Sequence, residues 1–344
     1  MLFNTMRIKY VDVLKGIAII TVIFNHSMGD TGILMKYITS FHMFLFIFVS
    51  GYMFDLDKYR KDYLLYYKKK FQTIVKPYII FVLINTVLNK IIDCYYGIHY
   101  FKEYYMCNIY HSNLLFGAIW FLVCLFWIVL IGNFIINHFS NNIFRIAVSF
   151  VIMEVSLIGL LGDLEFRFSQ ACLGVIFYIL GYILSGLIKN IILKQNAIKL
   201  LGLYLLFFTC GIVLCYSNDA VIMSRMQVGN VFLMLLSSLC SIFAFIILSF
   251  FLSKYNMFVN TFGHMGEKSL FVLCTHQYFI FIFLRIFRVF VKQEIILGML
   301  IFVSTLIIEY IMIYLLANVF DSLLKMCSID TAKKMKLFKI LGLQ

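Results

Sequence analysis

The chain has 344 residues, of which 63% are hydrophobic and only 13% are charged. Soluble globular domains average about 25% charged and 45–50% apolar residues, so this composition excludes a soluble globular domain. The formal net charge of +13 lies mainly between the apolar runs and near the C-terminus. This placement is typical of membrane topology and does not favour nucleic-acid binding.

Apolar runs long enough to cross about 30 Å of hydrocarbon recur from one end of the chain to the other. They predict an all-α polytopic membrane protein with about ten transmembrane helices. We predict one transmembrane domain over residues 1–320 and a basic cytoplasmic tail over 321–344, with the longest loops at 55–76 and 95–112. In chain order, the predicted spans cover residues 10–28, 36–54, 77–94, 113–136, 143–161, 170–188, 198–216, 228–252, 268–290 and 294–318.

The distribution of basic residues predicts the orientation of these spans. With both termini in the cytoplasm, twenty of the 29 Lys and Arg residues fall in cytoplasmic segments and seven on the other side. Cytoplasmic segments are enriched in Lys and Arg, so this arrangement is favoured. The expected location is a cell membrane, which the chain crosses several times in contact with membrane lipids.

The first predicted span contains Asp12 and Lys15 near its start and His26 near its end. Asp12 and Lys15 are three residues apart and share a helix face, which permits an ion pair. His26 follows Lys15 by eleven residues, about three helical turns, and so lies on nearly the same face some 16 Å deeper. Lys15 is either a lysine reaching the interface or a cation that receives an anionic ligand from the cytoplasm.

The second and fourth predicted spans bring further polar residues to the depth of His26. His42 follows the outer end of the second span by about five residues, and Trp120 enters the fourth span from the same side. Histidine acts as a general base or hydrogen-bond donor near neutral pH, which suits activation of a hydroxyl group. We therefore predict a polar pocket there and no metal site, because the sequence has no His-x3-His pair.

Basic and acidic residues elsewhere have two interpretations each. The segment that contains Lys69, Lys70 and Lys76 either lies on anionic lipid or receives the phosphates of a nucleotide-containing donor. His276 and Glu309 lie inside predicted spans, where they are either structural partners or parts of a proton pathway.

Several motifs, in this order, resemble the membrane-bound acyltransferase-3 family, which includes O-acetylases of surface glycans. The motifs are DVLKGIAIITVIFNHS, SFHMFLFIFVSGYMF, the basic segment ending in Lys76-Pro77-Tyr78, WFLVCLFW and SLFVLCTHQYFI. Family members carry Arg or Lys in the first span, then ten residues and His, which Lys15 and His26 match. Two features depart from the family: Phe44 stands where Pro is common, and the basic segment has no R-x-x-R pair.

The resemblance implies transfer of an acetyl group from cytoplasmic acetyl-CoA, or another acyl-CoA, to a hydroxyl of a surface polysaccharide or lipid-linked glycan. It implies that His26 is catalytic and Lys15 its cationic partner, with no permanently bound cofactor. From the resemblance and the depth arguments together, the catalytic candidates are Lys15, His26 and His42. The candidates for binding substrate or donor are Asp12, Lys69, Lys70, Lys76, Trp120 and His276.

A proton-coupled transporter or flippase for a glycan intermediate is the alternative function. Glu154, Glu309 and His276 inside predicted spans are compatible with proton coupling. Transporters often contain inverted repeats and helices broken by Gly or Pro. The single proline and the absence of a visible internal repeat favour the acyltransferase.

Overall fold

The computed structural model of the protein describes residues 8–29, 32–59, 63–96, 117–159 and 167–326. Within these ranges the chain is almost entirely helical, and its only β-type pairing is an isolated bridge between Ile222 and Gln227. The helices are α1 Lys9–Met28, α2 Ile33–Tyr52, α3 Leu56–Tyr59, α4 Tyr63–Lys70, α5 Lys76–Tyr96, α6 Trp120–His138, α7 Asn142–Leu157, α8 Phe168–Lys194, α9 Ala197–Tyr216, α10 Val231–Leu252, α11 Asn256–Phe258, α12 His264–Glu267, α13 Ser269–Phe287 and α14 Glu294–Met326.

Eight of the described helices are long and apolar enough to cross a membrane: α1, α2, α6, α8, α9, α10, α13 and the first part of α14. The prediction of an all-α polytopic membrane protein is confirmed. Helices α5 and α7 occupy the other two predicted spans, but α7 has only 16 residues. The number of ten crossings and the cytoplasmic position of both termini therefore stay predictions, as do the domain boundaries. The predicted loop 95–112 lies outside the described residues from 97 onward, and the predicted tail does so from 327 onward.

Helices α1, α2 and α8 supply much of the buried core, whereas α9 lies at the periphery. Phe44 of α2 and Phe177 of α8 are fully buried, and their rings stack with centroids 4.3 Å apart. Helix α9 instead exposes Leu201, Leu205 and Val213. Exposed apolar side chains on a long apolar helix are expected where the helix faces lipid.

Two glycines allow α2 and α8 to pack backbone against backbone. A Cβ atom added to Gly51 would overlap the carbonyl group of Tyr178, and one added to Gly181 would overlap the carbonyl group of Phe48. Each helix therefore presents its glycine to the main chain of the other. Small residues at such contacts are typical of helix association in membranes.

The prediction that the basic segment 55–76 is a loop is wrong where the structure describes this segment. Helices α3 and α4 occupy most of it, and a π-helical turn over Phe71–Val75 connects α4 to α5. The turn directly precedes Pro77, which lacks a backbone N–H and cannot make the regular hydrogen bond of an α-helix. A second π-helical turn, Val259–Gly263, joins α11 to α12.

The α11–α12 segment packs tightly on the first half of α1. A Cβ atom at Gly16 would overlap the carbonyl of Phe262, and one at Gly266 would overlap the carbonyl of Asp12. This reciprocal glycine contact holds residues 266–269 beside Lys15, where they line a cavity.

The glycine contact between α2 and α8 generates the first testable prediction. The Gly181→Leu variant should unfold at a clearly lower temperature than the wild type in detergent, because overpacking against a backbone costs at least about 1–3 kcal/mol. The matched control is Gly186→Leu on the same helix, since a Cβ atom there meets nothing within 4 Å. Equal melting temperatures for the two variants would contradict the packing argument.

Candidate active site

A small cavity of about 80 Å³ lies near the C-terminal end of α1 and the N-terminal end of α2. We call it the histidine cavity. His26, His42 and Trp120 all line it, together with Asn25 and Thr39. The three residues predicted to share one depth are therefore neighbours in the structure.

The ring of His42 has a defined tautomer. Its Nδ1 atom lies 2.7 Å from the carbonyl oxygen of Ile38. A carbonyl oxygen only accepts hydrogen bonds, so Nδ1 carries the proton, and in the neutral ring Nε2 keeps a lone pair. His42 is buried, whereas His26 is the accessible histidine of the cavity.

His276 lies directly behind His26. The two ring centroids are 5.4 Å apart, with an angle of 38° between the ring planes. His276 donates from Nδ1 to the carbonyl oxygen of Val272 at 2.8 Å, which again leaves a lone pair on Nε2. That Nε2 atom is buried and has no hydrogen-bond partner among the described residues.

A larger cavity of about 440 Å³ lies toward the opposite end of α1. We call it the lysine cavity, because Lys15, Lys69 and Lys70 line it. Aromatic and aliphatic side chains form most of the remaining wall, among them Phe46, Phe54, Tyr66, Phe121, Leu122, Leu125 and Leu270. The cavity thus combines clustered positive charge with an apolar interior.

The side chain of Lys70 lies beside an aromatic ring and close to the other two lysines. Its Nζ atom lies 5.4 Å from the ring centroid of Tyr66, whose hydroxyl hydrogen-bonds that of Tyr178 at 3.0 Å. Burial, together with the neighbouring charges of Lys69 and Lys15, lowers the pKa of Lys70 to about 8. A bound anion would offset the cost of this charge cluster.

The two cavities have one lining residue in common. Leu273 of α13 lines both the lysine cavity and the histidine cavity. It precedes His276 by three residues, so both side chains lie on the same face of α13. Helices α1 and α13 therefore each contribute to both cavities.

Three predicted site residues lie outside these cavity walls: Asp12, Lys76 and His276, which lies behind His26. Asp12 lines a neighbouring cavity with Lys9, His264 and Glu267, and Lys76 is half-buried on α5 without lining the lysine cavity. Sequence reasoning did not identify Tyr66, Glu267 or Leu273 as cavity residues. The one available signal was Pro77, which marks the turn that leads α4 into α5.

The buried carboxyl group of Glu309 is held by α13. Thr275 donates a hydrogen bond to Glu309 Oε1 at 2.8 Å, and Oε2 has no hydrogen-bond partner among the described residues. In the described part of the chain, no group of three or more His, Cys, Asp or Glu residues has an arrangement that would hold a metal ion.

Comparison with known proteins bears on this arrangement. A family model described as an acyltransferase domain matches residues 8–314, nearly the whole chain. The chain belongs to the acyltransferase-3 family. This finding, with the apolar helices, identifies it as a multi-pass membrane acyltransferase. No curated protein and no solved structure matches the chain.

The charge cluster in the lysine cavity generates a prediction about Lys70. Only its neutral amine reacts with an acylating reagent, so its labelling should rise with pH around a midpoint near 8. In the Lys15→Gln variant the midpoint should move to higher pH, because one neighbouring positive charge is removed. Peptide mapping by mass spectrometry measures both curves. An unchanged midpoint would contradict the coupling between the two lysines.

Proposed function

We propose that this acyltransferase moves an acetyl or other acyl group from acyl-CoA in the lysine cavity to a glycan hydroxyl in the histidine cavity. The glycan is a surface polysaccharide or a lipid-linked intermediate. The observation that carries the proposal is the shared wall: a cationic cavity and a histidine-lined cavity approach each other on opposite sides of Leu273. In the proposed orientation, the lysine cavity opens to the cytoplasm.

The composition of the lysine cavity supports an acyl-CoA donor. Lys15, Lys69 and Lys70 supply point charges for the phosphate groups, without the bidentate geometry of arginine. The apolar wall, including Leu122 and Leu270, suits the pantetheine arm and the acyl chain. The cavity volume of about 440 Å³ falls within the usual range for small-molecule sites.

His26 is proposed as the general base. It removes the proton from the acceptor hydroxyl as the oxygen attacks the thioester carbonyl carbon. A carbon–oxygen bond forms, the carbon–sulfur bond breaks, and the CoA thiolate leaves and takes up the proton. His276 Nε2 would accept an N–H hydrogen bond from His26, which fixes the His26 tautomer and stabilises its protonated ring.

His42 and Trp120 complete the proposed acceptor site. The His42 Nε2 lone pair accepts a hydrogen bond from a second hydroxyl, since its Nδ1 is engaged with Ile38. Trp120 offers an aromatic face beside His26, and such a face packs against the apolar face of a sugar ring.

Removal of the proposed base is the direct test. The His26→Ala variant should lose acyl transfer by at least about 100-fold, the usual scale of a general base, while donor binding is retained. His138→Ala is the matched control, because His138 is exposed at the end of α6 and lines neither cavity. Activity is measured with radiolabelled acetyl-CoA, and donor binding by calorimetry. A fully active His26→Ala enzyme would disprove the assignment.

Leu273 provides a test of the two-cavity arrangement. The Leu273→Trp variant should lower kcat strongly, because Leu273 lines both cavities and the larger ring would obstruct passage of the acyl group from one to the other. Leu270→Trp should instead raise the KM for acyl-CoA, because Leu270 lines only the lysine cavity of the two. The shared-wall proposal fails if Leu273→Trp lowers kcat no more than Leu270→Trp does.

Reconstituted vesicles distinguish the enzyme from the transporter alternative. The proposal predicts acylated glycan only when acyl-CoA is supplied on the side of the lysine cavity. Movement of a labelled glycan across the bilayer without acyl-CoA would favour a transporter or flippase instead.

A further inference from the structure

A third cavity, of about 580 Å³, adjoins the histidine cavity on the side away from the lysine cavity. We call it the vestibule. It shares Asn25, Thr39, Ile222 and Ser224 with the histidine cavity, so the two cavities are adjacent. The vestibule is the route by which an acceptor would reach His26.

Lys36 is held at one wall of the vestibule by the end of α9. Its Nζ atom lies 3.5 Å from the carbonyl oxygen of Tyr216 and 5.9 Å from the centroid of that ring. Tyr216 in turn donates its hydroxyl hydrogen bond to the carbonyl oxygen of Ile33 at 3.1 Å. The ammonium group of Lys36 and the ring of Tyr216 therefore lie close together in the wall of the vestibule.

Arg225 is presented by a well-folded connection between α9 and α10. Ile222 and Gln227 pair across this connection, with Ile222 N–H donating to the Gln227 carbonyl at 2.8 Å. The side chain of Asn218 donates a hydrogen bond to the Val228 carbonyl oxygen at 2.9 Å, which links the two ends of this connection. Arg225 thus lines the vestibule from an ordered turn and not from a loose loop.

A third cation, Arg167, contacts lining residues of the histidine cavity without lining it. The Arg167 guanidinium carbon lies 5.4 Å from the ring centroid of Trp120, and Arg167 donates to the carbonyl oxygen of Ser224 at 3.2 Å. Among the described residues that line the vestibule or the histidine cavity, none is Asp or Glu. The described walls of this route are therefore cationic.

We propose that the acceptor is an anionic glycan, whose carboxylate or phosphodiester groups bind Lys36 and Arg225 while a neighbouring hydroxyl reaches His26. This inference rests on the proposed acyl transfer to a glycan. Lys36 and Arg225 lie in segments predicted to face away from the cytoplasm, where Lys and Arg are disfavoured by topology alone. A ligand that needs positive charge accounts for the presence of these two cations together in the wall of one cavity. The Tyr216 and Trp120 rings would pack against sugar faces on either side.

The experiment compares three acceptors with the purified full chain in vesicles: a uronic-acid oligosaccharide, a phosphodiester-linked glycan and a neutral oligosaccharide. At low salt, at least one anionic acceptor should be acylated with a higher kcat/KM than the neutral one, and this advantage should shrink as salt increases. Comparison of the two anionic acceptors identifies which charged group is recognised.

Variants at the vestibule locate the effect. Lys36→Gln and Arg225→Gln should each raise the KM for the anionic acceptor roughly three- to tenfold, the scale of one charge-assisted contact at a solvated site. Their kcat and their KM for acyl-CoA should be unchanged. Lys292→Gln is the matched control, because Lys292 is exposed between α13 and α14 and does not line the vestibule.

The outcomes separate this inference from the proposed function. Acylation of the neutral acceptor as efficiently as the anionic ones, with no effect of Lys36→Gln or Arg225→Gln, would overturn the anionic acceptor but keep the acyltransferase. No transfer to any glycan, with donor binding and donor hydrolysis intact, would overturn glycan acylation itself. If Lys36→Gln and Arg225→Gln raise the KM only for the anionic acceptor, the result supports both the anionic acceptor and the proposed acyl transfer to a glycan.

Discussion

A hydrocarbon bilayer supplies no hydrogen bonds, so polar side chains between the helices of this protein have to be satisfied by the protein or by a cavity. Backbone carbonyl groups one turn earlier serve this purpose for His42 and His276, which donate from Nδ1. Each histidine is thereby fixed as a tautomer that presents Nε2 as an acceptor. The same hydrogen bonds that make the rings tolerable in the membrane determine what chemistry they can perform.

This constraint also explains why the proposed chemistry is confined to a short region. His26 is accessible, while His276 behind it is fully buried, so only one of the two rings can meet an acceptor. On the other side of Leu273, the lysine cavity holds the charges that phosphate groups require. In the proposed mechanism only the acyl group passes between the cavities, and the polyanionic part of the donor stays at the lysines.

That geometry distinguishes acyl transfer from transport in physical terms. A transporter has to expose one site to each side in turn, which usually involves movement of paired repeats. Here two differently built cavities exist together, and helices α1 and α13 each line both of them. Glu309, one of the residues that suggested proton coupling, also has a local role, since it accepts a hydrogen bond from Thr275.

The sequence predicted the depth of each polar residue in the membrane, but it did not predict which helices pack against one another. His26, His42 and Trp120 were placed together because helical rise and predicted orientation give each residue a height in the membrane. The contact between His26 and His276 depends on which helices are neighbours, and an apolar span carries no signal for that. Small residues such as Gly16 and Gly266 permit these close helix contacts. The sequence, however, does not show which helix a given glycine contacts.

The basic segment shows the same limit. Its lysines predicted a phosphate receptor or a lipid-facing loop, and the structure describes a helix and a π-helical turn that bring Lys69 and Lys70 to the cavity. Lys76 was grouped with them by composition, but it begins α5 beyond the turn and does not line that cavity. Charge density in a sequence does not say which side of a helix each charge occupies.

Under the proposed function, the lysine cavity would also link donor binding to protonation. Burial and the neighbouring Lys69 and Lys15 lower the pKa of Lys70 to about 8, so its charged form disfavours the folded, empty protein. This unfavourable contribution is fully present below pH 8 and is relieved as the pH rises toward the ordinary lysine value of about 10.4. An anionic donor reverses the balance by stabilising the ammonium group. Donor binding near pH 8 is therefore expected to take up protons, and the strain of the empty cavity becomes part of its affinity for the donor.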